Sequence, residues 1–128
     1  MATVFLLLGA AIIGVTAILT SQRYADLPDR IPIHFGIDGI VNGYGPRYMA
    51  WLMVVVQLAI AILALINYER TGRVGGLAFF NSILAICLAT QILILNAARS
   101  GKTRVNRLSF WIFFALMLTL GVLAVSKL

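Results

Sequence analysis

The chain reads as an all-α integral membrane protein: a four-transmembrane-helix bundle with an ordered Pro/Gly-rich loop cap between helices 1 and 2. Three observations predict this class. The 128 residues are 62% hydrophobic and 11% charged, whereas soluble domains run nearer half apolar and a quarter charged. Four stretches carry no charge: Ala2–Thr20, Met49–Ile66, Leu77–Ala98 and Leu108–Val125. They hold 77 of the 128 residues, and none of the 10 Lys and Arg or 4 Asp and Glu falls inside them. A hydrocarbon core of about 30 Å needs roughly 20 helical residues, so each stretch is long enough to span it. A soluble helix would place charges along its outward face.

Helix 1 is expected over about residues 2–26. Its first 22 residues contain no Lys or Arg, so the positive n-region of a secretory signal is missing and the stretch reads as a retained span. It should stop before Pro28, because the residue preceding a proline avoids the α region. Helix 2 is expected over 47–68, with Tyr48 and Trp51 at its start and Tyr68 at its end. Amphipathic rings favour the headgroup level, and Tyr24 and Trp111 suit the same role. Helix 3 is expected over 74–98 and helix 4 over 107–126, with Lys127 as a snorkelling cap. Residues 1–128 then form a single four-helix transmembrane domain.

Each span has small or weakly polar residues at helical spacing, and these are expected at helix contacts. They are Ala10, Gly14 and Ala17; Ala50, Gln57, Ala61 and Ala64; Ala78, Ser82, Ala85, Ala89 and Asn96; Ala115, Thr119 and Ser126. No ionisable side chain lies within a span, which argues against ion conduction or pumping. The single Cys excludes a disulfide framework, and Cys87 reads as a packing residue.

The motif loop, 27–47, holds all 3 prolines. Ile31–Phe35 reads as a short extended segment. Asp38-Gly39 and Asn42-Gly43 are turn pairs, with Gly39 and Gly43 expected to supply positive φ. Pro28 and Pro32 stiffen the path. The apolar Ile31, Ile33, Phe35, Ile37, Ile40 and Val41 need a surface, either the bundle end or the lipid interface.

The run Leu27-Pro28-Asp29-Arg30-Ile31-Pro32-Ile33-His34-Phe35, then Gly39 and Asn42-Gly43-Tyr44-Gly45-Pro46-Arg47, resembles a prokaryotic family of membrane domains of unknown function. The same domain is found at the N-terminus of SdpI-type immunity proteins, which protect cells from a secreted toxin and take part in signalling. The resemblance implies a multi-pass protein of the prokaryotic cytoplasmic (inner) membrane. It also marks Pro28, Ile31, Pro32, His34, Phe35, Gly39, Gly43, Tyr44, Gly45 and Arg47 as motif positions with a structural or partner-binding role. The immunity activity belongs to longer relatives with additional helices, and residues 67–128 carry no motif of that part.

His34 is the only histidine. It has two readings. As chemistry, it is a base, a pH-sensing group or a metal ligand beside Asp29 or Asp38, although the spacing fits no standard metal site. As structure, it hydrogen-bonds the loop and holds the cap. No catalytic residue and no cofactor is expected. The function expected is non-enzymatic: binding a partner protein, as an accessory or regulatory subunit of a larger membrane complex or as an immunity or signalling factor. The alternative is a His34-dependent membrane enzyme or metal or pH sensor. Beyond the lipid bilayer, the expected partner is another membrane protein. Nucleic acid is not expected, since the basic run Arg99–Arg107 has no interleaved aromatics.

Charge then orients the chain. Arg23, Arg30, Arg47, Arg99, Lys102, Arg104 and Arg107 fall on one side, against Arg70, Arg73 and Lys127 on the other. The positive-inside rule makes loops 21–48 and 99–107 cytoplasmic and puts both termini outside. An epitope fused to the N-terminus should therefore bind antibody on intact cells. Binding only after permeabilisation would reverse the orientation.

Overall fold

Hydrocarbon offers backbone N–H and C=O groups no partner, so a spanning segment must satisfy them within itself as a helix. In the computed structural model, which describes residues 2–36 and 40–100 together with Trp111, Ile112, Ala115, Leu116, Leu118, Thr119 and Val122, three helices do so. They are α1 (Ala2–Tyr24), α2 (Leu52–Thr71) and α3 (Val74–Ser100). Between α1 and α2 lie strand β1 (Arg30–Phe35), strand β2 (Val41–Pro46) and a 3-10 turn, Arg47–Trp51, that runs into α2. Ala2–Tyr24, Arg47–Thr71 and Val74–Arg99 are long and apolar enough to cross a membrane, and only 11–17% of each is buried within the protein. The remaining apolar surface, including Leu7, Val55 and Ile62, needs lipid around it, which fits a multi-pass membrane protein. The expected fourth span lies mostly outside the described residues; the seven described there are helical.

The segment joining α1 and α2 is not the ordered Pro/Gly-rich loop cap expected, and the protein is not all-α. Two antiparallel strands form a hairpin there. The β-branched and aromatic side chains of Ile31, Ile33 and Phe35 favour a pleated backbone, and a paired strand satisfies N–H and C=O groups that an open loop would leave to solvent.

Thr71 ends α2. Gly72 follows at φ 65° and donates its N–H to the Tyr68 carbonyl at 2.7 Å. Only glycine takes this left-handed conformation without a Cβ penalty, which lets the chain reverse into α3 within two residues.

Helix α3 packs against both α1 and α2, which touch each other far less. Polar layers cross the interior. Gln57 on α2 donates through Nε2 to Thr16 Oγ1 at 3.0 Å and to the Leu84 carbonyl at 3.1 Å. Gln91 on α3 donates to Thr20 Oγ1 at 2.9 Å and to the Ala50 carbonyl at 2.8 Å. Both threonine hydroxyls donate to their own helix, Thr16 to the Ile12 carbonyl and Thr20 to the Thr16 carbonyl. Toward the other end of α1, Asn81 Nδ2 donates to the Phe5 carbonyl at 2.7 Å. A Cβ on Gly9 would lie 2.8 Å from Asn81 Oδ1, so the absence of a side chain there is what admits the asparagine.

The contact faces differ from the small-residue stripes expected. In α1 the buried positions are Gly9, Thr16 and Thr20, while Ala10 is exposed and a Cβ added at Gly14 meets nothing within 4 Å. In α3 the inner face is Leu77, Leu84, Gln91, Leu95 and Ala98, and Ala85 is exposed. Threonine can be buried because its hydroxyl bonds back to its own helix, and glutamine because its amide finds partners on two other segments. In the second span, Ala50 of the 3-10 turn and Gln57 and Ala64 of α2 do turn inward.

Gln57 Oε1 is buried and has no partner among the described residues. Gln57→Leu should therefore change stability by less than about 0.5 kcal/mol, since losing two bonds of roughly 0.6 kcal/mol each is offset by removing an orphaned acceptor. Gln91→Leu should cost about 1–2 kcal/mol. Equilibrium unfolding in mixed detergent micelles measures both, and equal costs would contradict this accounting.

Candidate functional site

The residues singled out by the motif gather at one end of the helices, on the hairpin. Its base is closed by the Arg47 N–H, which donates to the Asp29 carbonyl at 2.9 Å. The ladder pairs Arg30 with Pro46, Ile31 with Gly45, Pro32 with Tyr44, His34 with Gly43 and Phe35 with Val41. Ile33 and Asn42 are the extra residues at its two irregularities. At the tip the Gly36 N–H donates to the Ile40 carbonyl at 2.9 Å. Asp38 and Gly39 lie outside the described residues. Asn42-Gly43 is not a turn: both residues belong to β2, and Gly43 has no positive φ. Its side-chain-free surface serves a close approach instead. A Cβ at Gly43 would meet His34 Cβ at 3.1 Å, and one at Gly45 would meet Ile33 Cδ1 at 3.0 Å.

One face of the hairpin is fastened to the helices. Ile31, 1% exposed, packs with Leu27, Ala50, Leu95 and Ala98, and Tyr24 and Met49 border this cluster. Burying a side chain of this size contributes about 1.5–3 kcal/mol, enough to order a two-stranded sheet that would be marginal alone. Pro32 is also buried, whereas Pro28 is exposed at the approach to β1. The other face points away: His34, Asn42 and Tyr44 are exposed, and so is Ile40 near the tip.

His34 Nδ1 hydrogen-bonds Asn42 Oδ1 across the strands. Asp29 contributes its backbone carbonyl to the hairpin base and its side chain is exposed. Among the described residues, no three His, Cys, Asp or Glu side chains lie close enough together to hold a metal ion.

Arginines gather at this end, and three of them lie against a neutral group. Arg23 Nη1 donates to Asn96 Oδ1 at 2.6 Å, and Arg30 Nη2 to the Tyr44 carbonyl at 3.3 Å. The Arg47 guanidinium sits 5.2 Å above the Tyr24 ring, which in turn lies 6.1 Å from Trp51. Arg99 closes the last turn of α3 nearby. Beneath the hairpin an apolar cavity of about 200 Å³ is lined by Ile31, Ile33, Met53, Val56, Gln91 and Ile94.

Sequence reasoning missed Asn42 as the histidine's partner, and it missed Leu27, Leu95 and Ala98 as the anchor of Ile31. Asn42 was hidden by its neighbour, because Asn-Gly is the strongest short turn signal. The anchor draws on residues more than sixty positions apart, and no local pattern marks such a pairing.

Ile31→Ala should cost about 2–4 kcal/mol and release the hairpin while the helices persist. Hydrogen exchange should speed up over residues 30–46 and stay slow in α2. Uniform loss of protection would mean that the hairpin is not a separable unit.

No curated protein matches this chain, and no solved structure matches it. Residues 11–58, which run from the middle of α1 through the hairpin into the second turn of α2, match the family described as "Domain of unknown function (DUF1648)".

Proposed function

We propose that this chain is a non-enzymatic protein of the prokaryotic inner membrane that acts by binding another membrane protein through its hairpin end. The observation that carries this reading is the outward face of the hairpin. Ile40 and Tyr44 are 42–45% exposed there, on an element whose opposite face is anchored. Apolar and aromatic side chains held on a rigid support are the usual anchors of protein contacts. The family match covers this element and ends before α3.

Within this reading, an accessory or regulatory subunit is favoured over an immunity factor. The charge bias places the hairpin end on the cytoplasmic side, whereas a toxin arriving from outside would meet the opposite end. The link to SdpI-type proteins rests on the motif alone. A fourth helix over 107–126 would complete the bundle and return the chain to the outer side.

A photo-crosslinking residue at Tyr44 should give one discrete adduct in native membranes, and the same residue at lipid-facing Ile62 should give none. Tyr44→Asp should abolish co-purification of that partner. If the protein purifies alone and Tyr44 gives no adduct, the partner-binding reading fails. His34→Gln tests the enzyme or sensor alternative. Activity lost with unchanged folding would support that alternative, and an unchanged adduct at Tyr44 would count against it.

A further inference from the structure

We propose that the hairpin end is a binding site for one anionic phospholipid, with an acyl chain in the cavity beneath β1 and the phosphate among Arg30 and Arg47. This inference stands apart from the partner-binding reading, because it concerns the inner side of the hairpin rather than its outward face.

Three features converge on it. The cavity is the first. Its walls are apolar apart from Gln91, and its volume is about 200 Å³. A dry apolar cavity of about 150 Å³ already accepts a benzene ring, so there is room for a length of hydrocarbon. A second helix, about 10 Å across, does not fit beneath the hairpin. The cavity's depth is the second feature. It runs from Ala50 and Leu52 to Val56 along the start of the second span, about 9 Å at 1.5 Å per residue. That is the upper acyl region of one leaflet, directly below the Tyr24 and Trp51 rings that suit the headgroup level.

The third is charge. Arg30 immediately precedes Ile31, and Arg47 opens the 3-10 turn whose Met49 and Ala50 form the cavity wall. A backbone carbonyl holds Arg30 and an aromatic ring holds Arg47. Neither contact neutralises the guanidinium, and both orient it. Guanidinium groups recognise phosphate oxygens through paired N–H donors, and a basic cluster at a membrane surface attracts anionic lipid. Arg23 and Arg99 add to the potential at the same end.

The site can be read by fluorescence. Trp111→Phe leaves Trp51 as the sole tryptophan of the two, beside the Arg47–Tyr24 pair. The protein is reconstituted in bilayers containing brominated phosphatidylglycerol or brominated phosphatidylcholine, whose acyl-chain bromines quench a nearby indole. The expected result is a preference for phosphatidylglycerol on the order of tenfold, since each arginine near an anionic surface contributes about fivefold. The double substitution Arg30→Gln and Arg47→Gln should abolish that preference, and Arg30→Lys with Arg47→Lys should largely restore it. Val56→Phe, at a half-exposed position that can accept a larger ring, should fill the cavity and weaken quenching by both lipids. Equal quenching by the two lipids would overturn the proposal, as would a preference that survives removal of both arginines. Displacement by millimolar inorganic phosphate would assign the arginines to a free anion instead. Unchanged quenching in Val56→Phe would remove the acyl chain from the cavity.

Discussion

Two glutamine amides decide how the helices of this protein meet. In hydrocarbon an unpaired amide has no solvent to turn to, so Gln57 and Gln91 hold their positions only where other segments supply acceptors. Gln57 finds Thr16 and Leu84; Gln91 finds Thr20 and Ala50. Each amide thus ties one helix to α1 and to a third segment. Sliding any helix by a single turn would separate at least one donor from an acceptor. Apolar packing alone could not select one register, because lipid tails solvate Leu and Ile as well as a neighbouring helix does. Asn81 repeats the device toward the other end, with Gly9 giving it room.

The hairpin depends on that register. Ala50, whose carbonyl receives Gln91, also packs against Ile31, and Leu95 lies one helical turn beyond Gln91 on the same face of α3. The layer that aligns the helices therefore builds the platform on which β1 rests. Once seated, the hairpin separates two environments. Its inner side roofs an apolar cavity, and its outer side carries His34, Asn42 and Tyr44. Arg23, Arg30 and Arg47 lie at this end, hydrogen-bonded to or stacked on neutral groups. Rigid support on one side and exposed apolar groups on the other make this end the part of the molecule best suited to recognition.

Much of the architecture can be read locally. Charge-free runs locate α1, α2 and α3 because a span must exclude ions over its whole length. Ile31–Phe35 reads as extended from its β-branched alternation, and it is a strand. Other features resist local reading. The small-residue stripes pointed α1 toward its Ala10–Gly14 face, yet Thr16 and Thr20 turn inward, because buried threonine is tolerated when its hydroxyl bonds its own helix. Asn42-Gly43 carries a turn signature, but pairing with β1 outweighs it. The role of Gly43 follows from the approach of His34, which is a property of two strands together. Gly72 is different: a glycine just past the end of an apolar run is a legible helix stop.

From its sequence alone the protein acquires its solvent, its spans and the concentration of unusual residues between the first two of them. These follow from composition and spacing, since partitioning into a bilayer depends on the residues of each segment taken singly. The tertiary structure alone decides which face of each helix turns inward, that the connecting segment is a hairpin seated on α3, and that an apolar cavity lies beneath it. Those features require residues distant in the chain to satisfy one another's hydrogen bonds and volumes, a condition that arises only when the segments meet.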